Sequence, residues 1–288
     1  MAKITAAMVK ELRETTGAGM MDCKKALTAT EGDKEKAIDW LREKGISKAE
    51  KKAGRIAAEG AVAAYISDDA KVGVLVEVNC ETDFAAGNEQ FRSLEEKIAK
   101  HIAATNPADL DALNASEIDG KTVAALVTEA TATIGEKISL RRFVRYETEG
   151  RVASYIHMGG KVGVLLSIKA GKEETVKSDA FKALAKDLTL HIAAAAPKSV
   201  SSDSLDPAFV AEEQEIAKQQ LIQEGKPEHL LEKILPGKLK ALYAQSCLLN
   251  QGFVKDPSVS VDALLKQVGK ELGDEISVVS FVRYQLGA

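Results

Sequence analysis

Cysteine is scarce and scattered: Cys23, Cys80 and Cys247 are the only three in the chain. No CxxC pair or Cys/His cluster gathers them, which excludes a disulfide framework and a zinc site of the usual spacing. Aromatic residues make up only 5% while alanine is abundant, a balance that favours closely packed helices beside small sheets. Basic excess is also missing. The net charge is −4, whereas a general nucleic-acid binder carries a basic domain or stripe. No apolar run approaches membrane-spanning length, and the start Met1-Ala2-Lys3-Ile4-Thr5 lacks the apolar core of a signal peptide, so a reducing cytoplasm is expected. The phosphate-binding GxxxxGK[ST] and GxGxxG patterns, HExxH and GxSxG are all absent. Glu77, Glu81 and Asp83 are close enough in sequence to hold a hard cation, but no EF-hand spacing follows them. Neither metal nor cofactor is expected, and binding is favoured over enzyme chemistry.

What is present is an ordinary globular composition over 288 residues, 45% hydrophobic and 28% charged, enough for about two domains. The first fifty-odd residues read as three short helices. Thr5 and Asp33 stand at N-cap positions, with Gly17 and Gly45 at the ends of the first and third patterns. Val9 and Leu12 face inward on the first helix. Met20, Cys23 and Leu27 share one face of the second, and Ala37, Ile38, Trp40 and Leu41 mark the third. Lys48 to Arg55 reads as a basic, polar linker of helical character, most simply a solvated connector.

The remainder is a duplicated unit. Gly60–Val78 aligns with Gly150–Ile168 at an offset of 90, with ten of nineteen positions identical. The offset holds through the next helix, where His101 matches His191. It becomes 138 where Ile138–Tyr146 matches Ile276–Tyr284, so the second copy carries 48 extra residues. Each copy reads strand, strand, helix, helix, strand, with N-caps at Thr122 and Ser260 and helix-ending glycines at Gly135 and Gly273. The extra residues read as an antiparallel helical hairpin, turning at Gly225-Lys226-Pro227, with a kink expected at Pro236-Gly237.

The fold class is therefore α+β: an N-terminal three-helix (UBA-like) domain, a duplicated core of two small antiparallel sheets with helices, and an inserted antiparallel helical hairpin. The expected boundaries are 1–54 for the helical domain and linker, 55–147 for the first copy, 148–201 with 251–288 for the second, and 202–250 for the hairpin.

Symmetry separates fold from function. Features shared by both copies, such as His101/His191 and Gly135/Gly273, are most simply fold requirements. The loop Asn79–Ala85 is different, because Thr82, Asp83 and Phe84 correspond to Lys172, Glu173 and Glu174. The fold tolerates charge there, so Phe84 is not needed to close a core and is free for a partner. His157 is likewise unmatched, its counterpart being Ser67.

Two segments carry a resemblance. Thr16-Gly17-Ala18-Gly19-Met20-Met21-Asp22-Cys23-Lys24-Lys25-Ala26-Leu27 and Glu77-Val78-Asn79-Cys80-Glu81-Thr82-Asp83-Phe84 look like the two signatures of the bacterial elongation factor Ts family, and the likeness covers essentially the whole chain. The resemblance implies a guanine-nucleotide exchange factor that binds elongation factor Tu and promotes GDP release. It implies that Thr82, Asp83, Phe84 and Ala85 displace the partner's magnesium. It also places Leu12, Arg13, Met20, Met21, Lys24, Ile134, Gly135 and His157 at or near the partner. Ala85 departs from the family's usual valine, and the further helix that some members carry after the position of Tyr284 is not expected here. On the residues alone, a structural adaptor that associates through its helical domain and hairpin stays open as the alternative, and on spacing alone Met20 and Leu27 fit core positions.

Overall fold

The computed structural model describes residues 4–288. Three helices, α1 (Ala6–Thr16), α2 (Met20–Ala29) and α3 (Lys34–Lys52), form the N-terminal bundle. Thr5 caps α1 by accepting the Met8 amide, and Gly17 ends it in the left-handed region. Asp33 caps α3 by accepting the Lys36 amide. Val9, Leu12, Cys23, Ala26, Leu27 and Ala37 fill the bundle's core.

Two expectations for this region are corrected. Helix α3 does not stop at Gly45 but continues to Lys52, because Gly45 is buried where the helix lies against Ala132. The basic linker is helical as expected over most of its length, but as the continuous last turns of α3. Met20 does not share the buried face of Cys23 and Leu27: it is about half exposed.

The first copy contains β1 (Glu59–Ile66), β2 (Val72–Cys80), α4 (Asp83–Ala86), α5 (Glu89–Thr105), α6 (Leu110–Ala115), the small hairpin β3 (Glu117–Ile118) and β4 (Lys121–Thr122), α7 (Val123–Ile134) and β5 (Ser139–Glu147). The second repeats it with β6 (Arg151–His157), β7 (Val162–Ala170), α8 (Glu173–Lys177) and α9 (Asp179–Ala195). The hairpin helices α10 (Pro207–Gln223) and α11 (Glu228–Ser246) follow. Then come β8 (Gly252–Phe253), β9 (Asp256–Ser260), α12 (Val261–Leu272) and β10 (Ile276–Gln285). The sheets are antiparallel, ordered β1-β2-β5 and β10-β7-β6, so the second strand of each copy is central.

Each sheet buries one face under its own helices, including Phe91, Ile98 and Ile102 in the first copy and Phe181, Leu188 and Ile192 in the second. The opposite faces pack on each other through Val62, Leu75, Val152, Leu165 and Tyr284. Burying both faces explains why the central strands are nearly continuous apolar runs. The approach is reciprocal. A Cβ on Gly73 would overlap Val152 and stand 3.0 Å from Leu165, while one on Gly163 would overlap Val62 and stand 3.0 Å from Leu75.

His101 and His191 both serve packing and hydrogen bonding inside their copies. His101 Nε2 lies 2.7 Å from Ser116 Oγ. His191 Nε2 lies 2.9 Å from Gln251 Oε1, and its Nδ1 accepts the Val254 amide at 3.1 Å. Helix α11 continues through Pro236, the position of the expected kink. Pro236 is exposed.

Candidate functional site

Strand β2 ends at Cys80, and the chain turns sharply through Glu81 and Thr82 into the single helical turn α4. Thr82 caps that turn by accepting the Ala85 amide at 3.2 Å. Two carboxylates, one on each side, tie the turn to the α7–β5 connection. Glu136 Oε2 accepts the Thr82 amide at 2.9 Å and Oε1 accepts its hydroxyl at 2.7 Å. Reciprocally, Glu81 Oε1 accepts the Lys137 amide at 2.7 Å. That bond, with the Arg55 guanidinium beside it, holds the Glu81 carboxyl below its usual range.

The second copy uses the same device: Asp274 accepts the Gly171 and Lys172 amides at 3.1 and 2.8 Å. Asp274 matches Glu136 at the repeat's offset, so the clamp belongs to the fold. What it presents does not. Phe84 is 88% exposed and Asp83 is exposed beside it. Ala85 and Ala86 turn inward, as do their counterparts Thr175 and Val176. Ala85 is thus placed with the core of its own copy and not on the surface Phe84 occupies, successive side chains of a helix being turned about 100° from one another.

The other expected residues fall into two groups. Arg13, Met21 and Lys24 are exposed on the bundle, with Met20 half exposed beside them. Leu12 is fully buried and supports that surface from beneath. The bundle stands close to the aromatic turn: a Cβ on Gly17 would lie 3.2 Å from Gln90 and 3.5 Å from Thr133. Ile134 is half-buried at the end of α7, and Gly135 terminates that helix at φ +87°, its carbonyl accepting from Lys52 Nζ. His157 is exposed at the end of β6, with Nδ1 2.9 Å from the Tyr155 hydroxyl.

A side chain outside the expected set joins the two copies here. Arg92 Nε donates to the Ala86 carbonyl at 2.9 Å and Nη2 donates to the Gly159 carbonyl at 3.0 Å. The Phe84 turn and the turn after His157 are therefore neighbours, and Met158 on the latter is 70% exposed. Nothing in the local sequence of Arg92, Glu136 or Met158 marks them. The offset alignment pairing Glu136 with Asp274 was the one available signal.

The three acidic residues considered for a cation do not converge. Glu77 is buried, with Arg142 Nε at 2.7 Å and Arg141 Nη1 at 3.3 Å, while Glu81 is engaged with Lys137 and Arg55. Among the described residues no group of His, Cys, Asp and Glu is arranged to hold a metal ion. No described helix is long and apolar enough to cross a membrane.

Fold and site together define a duplicated α+β protein that carries a helical bundle and a helical hairpin and displays an aromatic ring on a firmly held turn. The particular family follows from comparison. The family model for elongation factor TS matches residues 81–288. An elongation factor Ts of Clostridium perfringens is 47% identical over 286 residues, covering 99% of this chain and 93% of the relative. That of Clostridioides difficile is 48% identical over 289 residues, covering 100% and 94%. One from Rhodopseudomonas palustris is 49% identical over 294 residues, covering 100% and 93%. The chain belongs to the elongation factor Ts family.

Proposed function

We propose that the protein is a cytoplasmic guanine-nucleotide exchange factor that binds elongation factor Tu and speeds GDP release. It acts by binding and needs no cofactor of its own. The observation that carries this reading is Phe84: a large ring, almost fully exposed, on a turn clamped by Glu136, in the one copy of the repeat that does not place a glutamate there. The ring enters the partner near its magnesium and phosphate site. Asp83 accompanies it and Thr82 holds the turn in shape, while Ala85 contributes by packing.

An exchange factor must bind the nucleotide-free partner more tightly than the loaded one, and the coupling is reciprocal. Burying Phe84 fully offers about 1.5–3 kcal/mol, which corresponds to about 10- to 150-fold in relative affinity. One ring does not suffice against a tightly held nucleotide, so further contacts are required. The exposed Met20, Met21, Arg13 and Lys24 of the bundle supply them, methionine adapting well to an irregular surface. Ile134, Gly135 and His157 extend the same contact.

The test is release of labelled GDP from purified elongation factor Tu. Acceleration at micromolar protein supports the reading, and an unchanged rate rejects it in favour of an adaptor that binds without altering nucleotide release.

A further inference from the structure

We propose that Arg92 is a positioning residue that locks the Phe84 turn of the first copy to the Met158–Gly160 turn of the second, so that Phe84 and His157 meet a partner as one rigid surface. The inference rests on the exchange reading for what that surface does, but not for the lock itself.

The geometry is that of a fork. Nε and Nη2 lie along one edge of the planar guanidinium, and each reaches a different carbonyl, Ala86 at 2.9 Å and Gly159 at 3.0 Å. Because the group is planar, the two bonds fix the spacing of the two turns, which a lysine's single ammonium cannot do. Both turns are short, and among the described residues no other side-chain hydrogen bond joins one to the other. The first is one helical turn. The second holds Met158 at φ +48°, a left-handed conformation that is costly for a residue with a side chain, beside Gly159 at φ +67°. Its base is already seated: a Cβ on Gly160 would overlap Ala61 on β1. Arg92 supplies the missing tie at the tip.

The repeat argues that this tie is not a general need of the fold. The counterpart of Arg92 is Lys182, which among the described residues pairs with Asp179 on its own helix, at 3.2 Å. The arginine thus occurs in the copy that carries the exposed ring, and it points across to the copy that carries the unmatched histidine.

Hydrogen exchange in the free, full-length protein tests the lock directly. The Ala86, Gly87 and Asn88 amides, which bond back to Thr82, Asp83 and Ala85, report the first turn, and the Lys161 amide, which bonds to His157, reports the second. In both Arg92→Ala and Arg92→Lys these amides should exchange roughly ten-fold faster, the change expected from losing a charge-assisted hydrogen bond at an exposed site. The central amides of α5 should keep their rates. Unchanged rates at either turn overturn the proposal. So does a wild-type pattern in Arg92→Lys, which would show that only the positive charge matters. In GDP release from elongation factor Tu, the loss caused by Arg92→Ala should shrink in a Phe84→Ala background, and strictly additive losses overturn it. If the wild-type protein releases no GDP, the exchange reading fails while the hydrogen-exchange result still decides the lock.

Discussion

Glu136 grips Thr82 with both carboxylate oxygens, one on the amide at 2.9 Å and one on the hydroxyl at 2.7 Å. The same hydroxyl accepts the Ala85 amide, so one side chain holds the cap that shapes the whole turn. Glu136→Ala removes both acceptors and leaves a half-buried amide without its partner. The expected cost is about 1–2 kcal/mol of stability, measured by denaturant unfolding. GDP release should slow as well, because the ring is no longer held in one place. Glu136→Gln keeps an acceptor oxygen and should lose less on both measures. Equal stability of wild type and Glu136→Ala would show that the turn holds itself.

Phe84→Ala separates partner contact from folding. A side chain 88% exposed contributes little to its own domain, so the unfolding free energy should stay within about 0.5 kcal/mol of wild type. GDP release at limiting protein should fall about ten-fold or more. A parallel loss of stability and activity would instead make the ring part of the fold.

The two sheets could be anticipated because duplication is visible residue by residue. Where Tyr65, Lys71 and Gly73 recur as Tyr155, Lys161 and Gly163, the strands recur too. Caps at Thr5, Asp33, Thr122 and Ser260 were legible because a hydroxyl or carboxylate before an apolar-periodic run has few other uses. The outward rotation of Met20 was not, since its spacing from Cys23 and Leu27 fits a buried face equally well. Glu136 and Arg92 were hidden for a different reason. Glu136 reaches back 54 residues to the amide and hydroxyl of Thr82, and Arg92 reaches carbonyls 6 and 67 residues away; backbone groups leave no side-chain pattern to read.

The reciprocal glycines make a second structural prediction. Gly73→Ala places a methyl onto Val152 and near Leu165 between the sheets, and Gly163→Ala does the same to Val62 and Leu75. Neither neighbour can swing away, because all four are buried. Each substitution should cost about 1–3 kcal/mol. The pair should be non-additive, since both act on one interface. Thermal unfolding of the two single variants and the double variant checks this.

Glu95 gives the pH-dependent prediction. It lies on α5 at 2% exposure, and its Oε1 has no hydrogen-bond partner. The second copy places Ala185 there. Burial pushes the carboxyl up to about 8, only partly opposed by Arg92. The folded protein therefore keeps this proton between the ordinary 4.5 and about 8, while the unfolded chain gives it up. Protons are then more numerous on the folded side, so stability falls as pH rises through that window. The slope is about 1.4 kcal/mol per pH unit from this group, levelling off above about 8. Glu95→Gln removes the titration while keeping the shape. Its unfolding free energy should lack that contribution to the slope, and its advantage over wild type should grow steadily from pH 5 to pH 8. Denaturant titrations at those two pH values decide the matter: an equal difference between the proteins at both would mean that Glu95 is already ionised in the fold.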